Sequence, residues 1–286
     1  MFRKYGLLGI LMILFVEINF ILKIQPFAGW YFPIVWFGYI FVVDALVYKI
    51  KGRSLMSNNM KEFLILLLIS AVFWWIFEFV NFRLENWSYF SDGLPTTLSR
   101  NMWMATISFS TVVPAVVETM HLLESIRKLS HIHLHKHFKI TRHFLYWMVF
   151  AGILAFTLVF VIPKLAFPLV WLAFFLILDP INYIHGVPSI VGHLKQGNWR
   201  FVILLGLAGL ICGFFWEFWN YWAIIKWQYN IPYVGFLKIF EMPILGYLGY
   251  LPFGLELYAM YHFVRSLHIP HRLHELKIVE KIESYV

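Results

Sequence analysis

The stretch FFWEFWNYWAIIKWQY, residues 214 to 229, sets Glu217 and Asn220 in one of the most aromatic segments of the chain. A second stretch, FWWIFEFVNFRLENWSY at 73 to 89, carries Glu78 and Asn81 in the same spacing, 139 residues earlier. Working outward from these two, FPIVWFGYIFVVDAL at 32 to 46 aligns without a gap to FPLVWLAFFLILDPI at 167 to 181, an offset of 135. Trp87-Ser88-Tyr89 and Trp227-Gln228-Tyr229 follow at 140, then Pro114 with Glu118 and Pro252 with Glu256 at 138. Four landmarks in one order, with small slips in register, are the signature of an internal duplication.

The 286 residues are 61% hydrophobic and 20% aromatic with 13% charged, and the mean hydropathy is +0.72. That balance is too apolar for a soluble domain of this length and predicts a multi-span membrane protein. Apolar runs long enough to cross a bilayer, about 20 residues, are read at 6 to 24, 30 to 48, 62 to 82, 101 to 123, 144 to 163, 165 to 184, 201 to 224 and 243 to 264. The expected fold class is therefore all-α, a polytopic membrane protein of about eight transmembrane helices from two parallel four-helix repeats. The opening MFRKYGLLGILMILF resembles a secretory signal in its basic start and apolar core. Its run continues to Lys23 without a small-residue cleavage pattern, and 144 to 163 is its partner in the duplication, so a retained helix is expected.

The corresponding domains are a first membrane repeat at 1–130, a His-rich basic linker at 131–143, a second repeat at 144–264 and a tail at 265–286. An even number of spans per repeat makes the copies cross in the same sense, related by a pseudo-twofold axis along the membrane normal. With eight spans the termini share a side. Of the 23 Lys and Arg residues only Lys23, Arg83, Arg100, Lys164, Lys226 and Lys238 fall on the opposite side. The excess of positive charge predicts cytoplasmic termini in a cell membrane. The formal charge of +8 is thereby assigned to a face that meets anionic lipid, with no nucleic-acid partner invoked. Cys212 is the only cysteine, which excludes an internal disulfide.

Seven carboxylates fall within the spans: Glu17, Asp44, Glu78, Glu118, Asp179, Glu217 and Glu256. All but Glu17 form pairs across the duplication. An acid inside a membrane costs about 2.5 to 3.5 kcal/mol on insertion scales, so keeping each one twice implies a shared task, either chemistry or hydrogen bonding between helices. Glu78 with Asn81, and Glu217 with Asn220, stand three apart and share a helix face, so the amide is expected to orient the acid. Apolar surroundings favour a neutral acid able to donate a proton. By helical rise Asp44 lies about 21 Å and Glu118 about 25 Å below the outer end, with Glu78 nearer that end. Pro114 and Pro252, four residues before their glutamates, are expected to interrupt their helices. Trp74, Trp75, Trp216, Trp219 and Trp222 surround the acids and could line a site whose π faces stabilise a cation. Trp87, Tyr89, Trp227 and Tyr229 fit the aromatic belt at the outer interface. Gly209 and Gly213 have the spacing of close helix packing.

The elements running from Asn81 through Trp87-Ser88-Tyr89 to Pro114 and Glu118, and from Asn220 through Trp227-Gln228-Tyr229 to Pro252 and Glu256, resemble the membrane-bound lycopene cyclase domain family. The likeness covers the last two spans of each copy. Where that family carries Pro-x-Glu-Glu with adjacent acids, this chain has Pro-Ala-Val-Val-Glu and Pro-Phe-Gly-Leu-Glu. The resemblance implies an integral membrane isomerase that cyclises the end groups of a linear carotenoid, with a lipid or isoprenoid substrate and no metal or redox cofactor. A neutral acid would protonate the polyene, a dry aromatic site would shelter the carbocation and a base would remove a proton. Carried over by position, Glu118 and Glu256 are the catalytic acids, Glu78 and Glu217 their rivals, and Asp44 and Asp179 supporting partners. Asn81, Asn220, Trp75, Trp216 and Trp219 are the substrate-binding candidates.

Other function classes compete. Paired acids at two depths also suit a proton-coupled transporter, and a scaffold would predict that the six acids tolerate Asn or Gln. Histidines 131, 133, 135, 137, 143, 262, 268, 271 and 274, with His121, His185 and His193, gather on the expected cytoplasmic side, as a metalloenzyme would need. The His-x-His alternation is not repeated in the second copy, and solvated loop histidines are the simpler account.

Overall fold

The computed structural model describes residues 1–127, 129 and 136–267. The chain is mostly helical, and seven of its helical segments are long and apolar enough to cross a membrane. In the first half these are α1 (Lys4–Ile21), α2 (Tyr31–Lys51), α4 (Met60–Leu84) and the broken pair α5 (Met102–Ser110) and α6 (Val112–Ser125), with the short α3 (Leu55–Asn58) between α2 and α4. The second half has α7 (Arg142–Val161), the segment Pro163–Ile184 made of α8 (Pro163–Ala166), a 3-10 turn and α9 (Val170–Ile184), the short α10 (Ile190–Lys195), and α11 (Trp199–Trp222). The eighth expected run comes out as a 3-10 turn at Ile244–Gly249 followed by α12 (Tyr250–Ser266), whose 17 residues span about 26 Å.

Local sequence sets several of these boundaries. Asn59 and Thr141 cap α4 and α7 by accepting from the backbone N–H of Glu62 and Phe144, as cap residues do. Gly52 ends α2 at a φ of 74°, the left-handed conformation that a side chain would strain. The expected interruptions occur at both prolines. Pro114 is the third residue of α6 and Pro252 the third of α12, where a missing N–H costs no helical bond. The break before α6 is bridged by Ser70, whose Oγ donates to the Phe109 carbonyl at 2.6 Å and accepts from the Val113 N–H at 3.0 Å.

An all-α expectation omitted one feature. Strands β1 (Trp87–Ser91), β2 (Leu94–Thr96) and β3 (Ile225–Tyr229) form an antiparallel sheet in the order β2-β1-β3, and β4 (Lys238–Ile239) with β5 (Met242–Pro243) forms a second small one. In the β1–β3 pair Trp87 faces Tyr229, Ser88 faces Gln228 and Tyr89 faces Trp227. Two Trp-x-Tyr segments thus pair about their own centres.

The chain condenses into two units. One comprises 1–125 and 211–247, and the other 126–210 with the described residues from 248 onward. These units cut across the sequence-based domains at 1–130 and 144–264. The physical reason lies in the first unit, where β3 takes its hydrogen bonds from β1 and the rings of Trp216 and Trp219 lie 5.4 and 4.9 Å from that of Trp36 in α2. Part of the linker, 131–135, and the tail from 268 lie outside the described residues.

Close helix contacts in each unit are made by small residues, as in membrane bundles. On α1, Leu7, Leu11, Leu14 and Ile18 are exposed, while Gly6 and Gly9 are buried against α2. A Cβ at Gly9 would come within 2.6 Å of the Gly38 carbonyl oxygen. In the second unit the close approach is between α11 and α12, where a Cβ on Gly209 would lie 2.3 Å from the Tyr250 carbonyl oxygen. That obstacle is backbone and cannot rotate away. Gly209→Ala is expected to destabilise by about 1–3 kcal/mol, as overpacking does, and to lower the melting temperature in detergent.

Candidate functional site

Three pairs of acids recur in the sequence, and each pair has its own kind of environment. Asp44 and Asp179 hold short helices. Ser54 and Ser189, also 135 apart, cap α3 and α10 by accepting from Ser57 N–H and Gly192 N–H. The aspartates accept the amides just behind these caps: Asp179 takes Ile190 N–H at 2.7 Å and Val191 N–H at 2.8 Å, and Asp44 takes Met56 N–H at 2.8 Å. A helix N-terminus stabilises a carboxylate through its free N–H groups and its dipole. Asp44 also accepts the Tyr5 hydroxyl. These two side chains are anchored as acceptors for the starts of short helices, a role their place on span two gave no sign of.

Glu78 and Glu217 belong to a clasp that folds each of the strands β1 and β3 back onto its helix. Asn81 donates from Nδ2 to the Trp87 carbonyl at 2.9 Å and accepts at Oδ1 from Asn86 N–H at 3.0 Å and Trp87 N–H at 3.4 Å. Asn220 repeats this, donating to the Trp227 carbonyl at 2.8 Å and accepting Trp227 N–H at 2.9 Å. The glutamates take the side chains that follow. Glu78 Oε1 accepts from Trp74 Nε1 and Trp87 Nε1, each at 3.0 Å, and from the Tyr89 hydroxyl. Glu217 Oε1 accepts the Tyr229 hydroxyl at 2.8 Å. Burial, with the Glu78 charge second, holds the Tyr89 hydroxyl well above its usual range, which keeps it a donor.

One expectation is corrected here. The amides bind strand backbone and do not orient the acids. Tyr89, Tyr229 and Trp87 point their polar atoms at buried carboxyls. The near-equal spacings from Glu78 to Tyr89 and from Glu217 to Tyr229 carried the signal for this partnership.

Glu118 and Glu256 are each the seventh residue of their helix, α6 and α12, and both are fully buried. Glu256 accepts the Phe174 N–H at 2.9 Å on Oε1, at the irregular start of α9, and its Oε2 has no hydrogen-bond partner among the described residues. On Glu118 neither oxygen has one. Its surroundings are nevertheless specific. His121 Nδ1 lies 4.0 Å from Oε2, and Asp44 is close enough for the two carboxyls to interact. Tyr39, which also feels the Glu118 charge, shares a 2.7 Å hydrogen bond with Thr119, and Thr119 lies 3.2 Å from Cys212 Sγ.

Beyond Tyr39 the first unit is aromatic. Its ring lies 5.7 Å from Phe215 and 5.9 Å from Trp219, and Phe215 stacks on Trp219 at 5.1 Å. Trp36 completes the group beside Tyr39, Trp216 and Trp219. Of the proposed substrate-binding residues, Trp216 and Trp219 therefore join the aromatic group next to Glu118. Trp75 instead donates to Thr106 Oγ1 at 3.1 Å, and Asn81 and Asn220 are taken up by the clasps.

No family model, curated protein or solved structure matches this chain. Among the described residues no group of three His, Cys, Asp or Glu is placed to hold a metal ion. His131, His133, His135, His268, His271 and His274 lie outside those residues.

In the second unit His193 is built into packing. It stacks on Phe201 at 3.9 Å and shares a 3.0 Å hydrogen bond with Tyr258, and loss of solvent lowers its pKa from 6.5 to about 4. Unfolded, this imidazole takes a proton near 6.5; folded, it resists until about 4. Its contribution to stability is therefore complete above about 6.5 and falls as pH drops toward 4. The melting temperature should decline over that window, and His193→Gln should flatten the decline.

Proposed function

We propose that the chain is an integral membrane enzyme in which Glu118 acts as a neutral carboxylic acid on an isoprenoid or carotenoid-like lipid, starting its cyclisation or isomerisation by protonation. What carries this is the carboxyl of Glu118, fully buried with both oxygens unpartnered among the described residues. A carboxylate in such a position is costly, and the group meets that cost by holding its proton. Asp44 sharpens the assignment. Asp44 already accepts from the Tyr5 hydroxyl and the Met56 amide, whereas neither of these donors reaches Glu118.

The chemistry follows from those environments. The O–H of Glu118 adds its proton to a terminal double bond, the π electrons forming the new C–H bond and leaving a tertiary carbocation. An internal double bond attacks that carbon and closes the ring. A base then takes a proton from the neighbouring carbon and restores a double bond, so product and substrate have one mass. The faces of Tyr39, Trp36, Trp216, Trp219 and Phe215 are suited to the cationic stage. Glu78, Glu217, Asp44 and Asp179 serve the fold in this scheme, and Glu256 serves it through Phe174.

The matching of landmarks at offsets of 135 to 140, the common seventh position of Glu118 and Glu256, and the pairing of Trp-x-Tyr with Trp-x-Tyr support a tandem duplication of eight spans with parallel repeats. The distribution of Lys and Arg supports cytoplasmic termini in a cell membrane. A site built from α2, α6 and the second half of α11 would draw on both copies.

The test is expression in cells that accumulate a linear carotenoid such as lycopene, with extracted pigments resolved by chromatography and mass spectrometry. A product of unchanged mass and altered absorption is expected. Unchanged pigment beside well-folded protein sinks carotenoid cyclisation.

A further inference from the structure

Glu118, His121 and Glu124 recur at intervals of three along α6 and so share one face of it. The row leads from the sealed acid toward the end of α6, where Glu124 Oε2 lies 3.5 Å from the Nζ of Lys51, the last residue of α2. Glu118 is sealed while the groups beyond it are partly exposed: the Glu118 side chain is 0% accessible, that of His121 14%, that of Glu124 9% and that of Lys51 21%. His121 is the one imidazole beside the acid among the described contacts, and no step above uses it.

We propose that His121 is the proton relay that recharges Glu118, fed from the Lys51–Glu124 end of the helix pair. This rests on Glu118 being the protonated acid of the proposed site. After Glu118 has given its proton to a substrate, the neutral ring of His121 takes a proton on Nε2 from water at the end of α6 as Nδ1 passes its own to Glu118 Oε2, and rotation of the ring restores the starting tautomer, so charge and protons balance. The 4.0 Å separation is longer than a hydrogen bond and is spanned by one water or by rotation of the imidazole. Groups from three neighbouring elements lie beside this row. From α2 they are Asp44, Tyr39 and Lys51, the last acting on His121 directly. Cys212 of α11 meets Thr119, and α4 meets α6 through the uncharged Ser70.

The relay can be read without any substrate. In protein reconstituted into lipid, the carboxylic C=O stretch of Glu118 is followed by infrared spectroscopy as the buffer is switched to D2O, with Glu118→Gln identifying the band. In His121→Gln the band is expected to persist and its shift in D2O to slow on the order of a hundredfold, with added imidazole restoring the rate in His121→Ala. An unchanged rate in His121→Gln overturns the relay. Should that variant fail to fold, Glu124→Gln cuts the row one step further out, and the same slowing is expected or the relay falls. No band lost in Glu118→Gln overturns both the relay and the acid on which it rests. Exchange that depends on His121 in a protein that leaves carotenoid unchanged supports the relay and removes only the proposed substrate.

Discussion

Glu118→Gln is expected to abolish conversion of the carotenoid while leaving the protein folded. Glutamine keeps the volume and removes the transferable proton, and because neither carboxyl oxygen of Glu118 has a hydrogen-bond partner at ordinary distance among the described residues, the amide disturbs only the contact with Asp44. Loss of a positioned acid costs typically 10²- to 10⁴-fold in rate, so product should fall by about that factor at matched protein level. The melting temperature in detergent should stay within a few degrees of the parent. Glu78→Gln provides the contrast. It replaces an acceptor that three donors converge on, Trp74, Trp87 and Tyr89, and weakens charge-assisted bonds that are stronger than neutral ones. Its expected signature is a lowered melting temperature with activity per folded molecule preserved. Pigment chromatography beside thermal unfolding separates the two. If Glu78→Gln loses turnover and Glu118→Gln retains it, the acid has been assigned to the wrong helix.

The largest loss of stability is expected from the amides of the clasps. Asn81→Ala removes at once the acceptor for Asn86 N–H and Trp87 N–H and the donor for the Trp87 carbonyl. Each buried backbone group left without a partner costs about 1–3 kcal/mol, so the variant should lose at least about 3 kcal/mol. The damage should also spread, because the same turn holds β1 in register with β3. Asn220→Ala acts on β3 through Trp227. The two substitutions together should therefore cost less than the sum of each alone, since either one frees the strand pair that the other would free. Thermal melts of the single and double variants measure this. Full additivity would mean that the strands are held independently of each other. Asn81→Asp keeps the acceptor and loses the donor, and should fall between parent and Ala.

Much of this architecture is legible in the residues themselves. A bilayer imposes a length on its helices and an apolar composition on their surfaces, so the seven helical segments long and apolar enough to cross a membrane could be bounded to within a few residues. Pro114 and Pro252 marked helix starts because a residue without an N–H is tolerated only where no helical bond is owed. The acids were legible as exceptional positions, since each stands against a cost that lipid makes general.

What each acid does was not legible, because that depends on which donors the fold brings to it from elsewhere in the chain. Asp44 and Asp179 find the amides of short helices 11 or 12 residues on, and Glu78 finds a tyrosine from a strand that hydropathy alone reads as an outer loop. The sheet itself escaped notice because β1 and β3 pair across more than 130 residues, and strand pairing leaves no local period of 3.6 to read. Sequence alone determined where the buried carboxyls are and that they come in pairs. Only tertiary structure decided that Asp44, Asp179, Glu78, Glu217 and Glu256 accept from donors elsewhere in the chain and that Glu118 has no hydrogen-bond donor among the described residues, because hydrogen bonding is set by proximity in space and a sequence records only proximity along the chain.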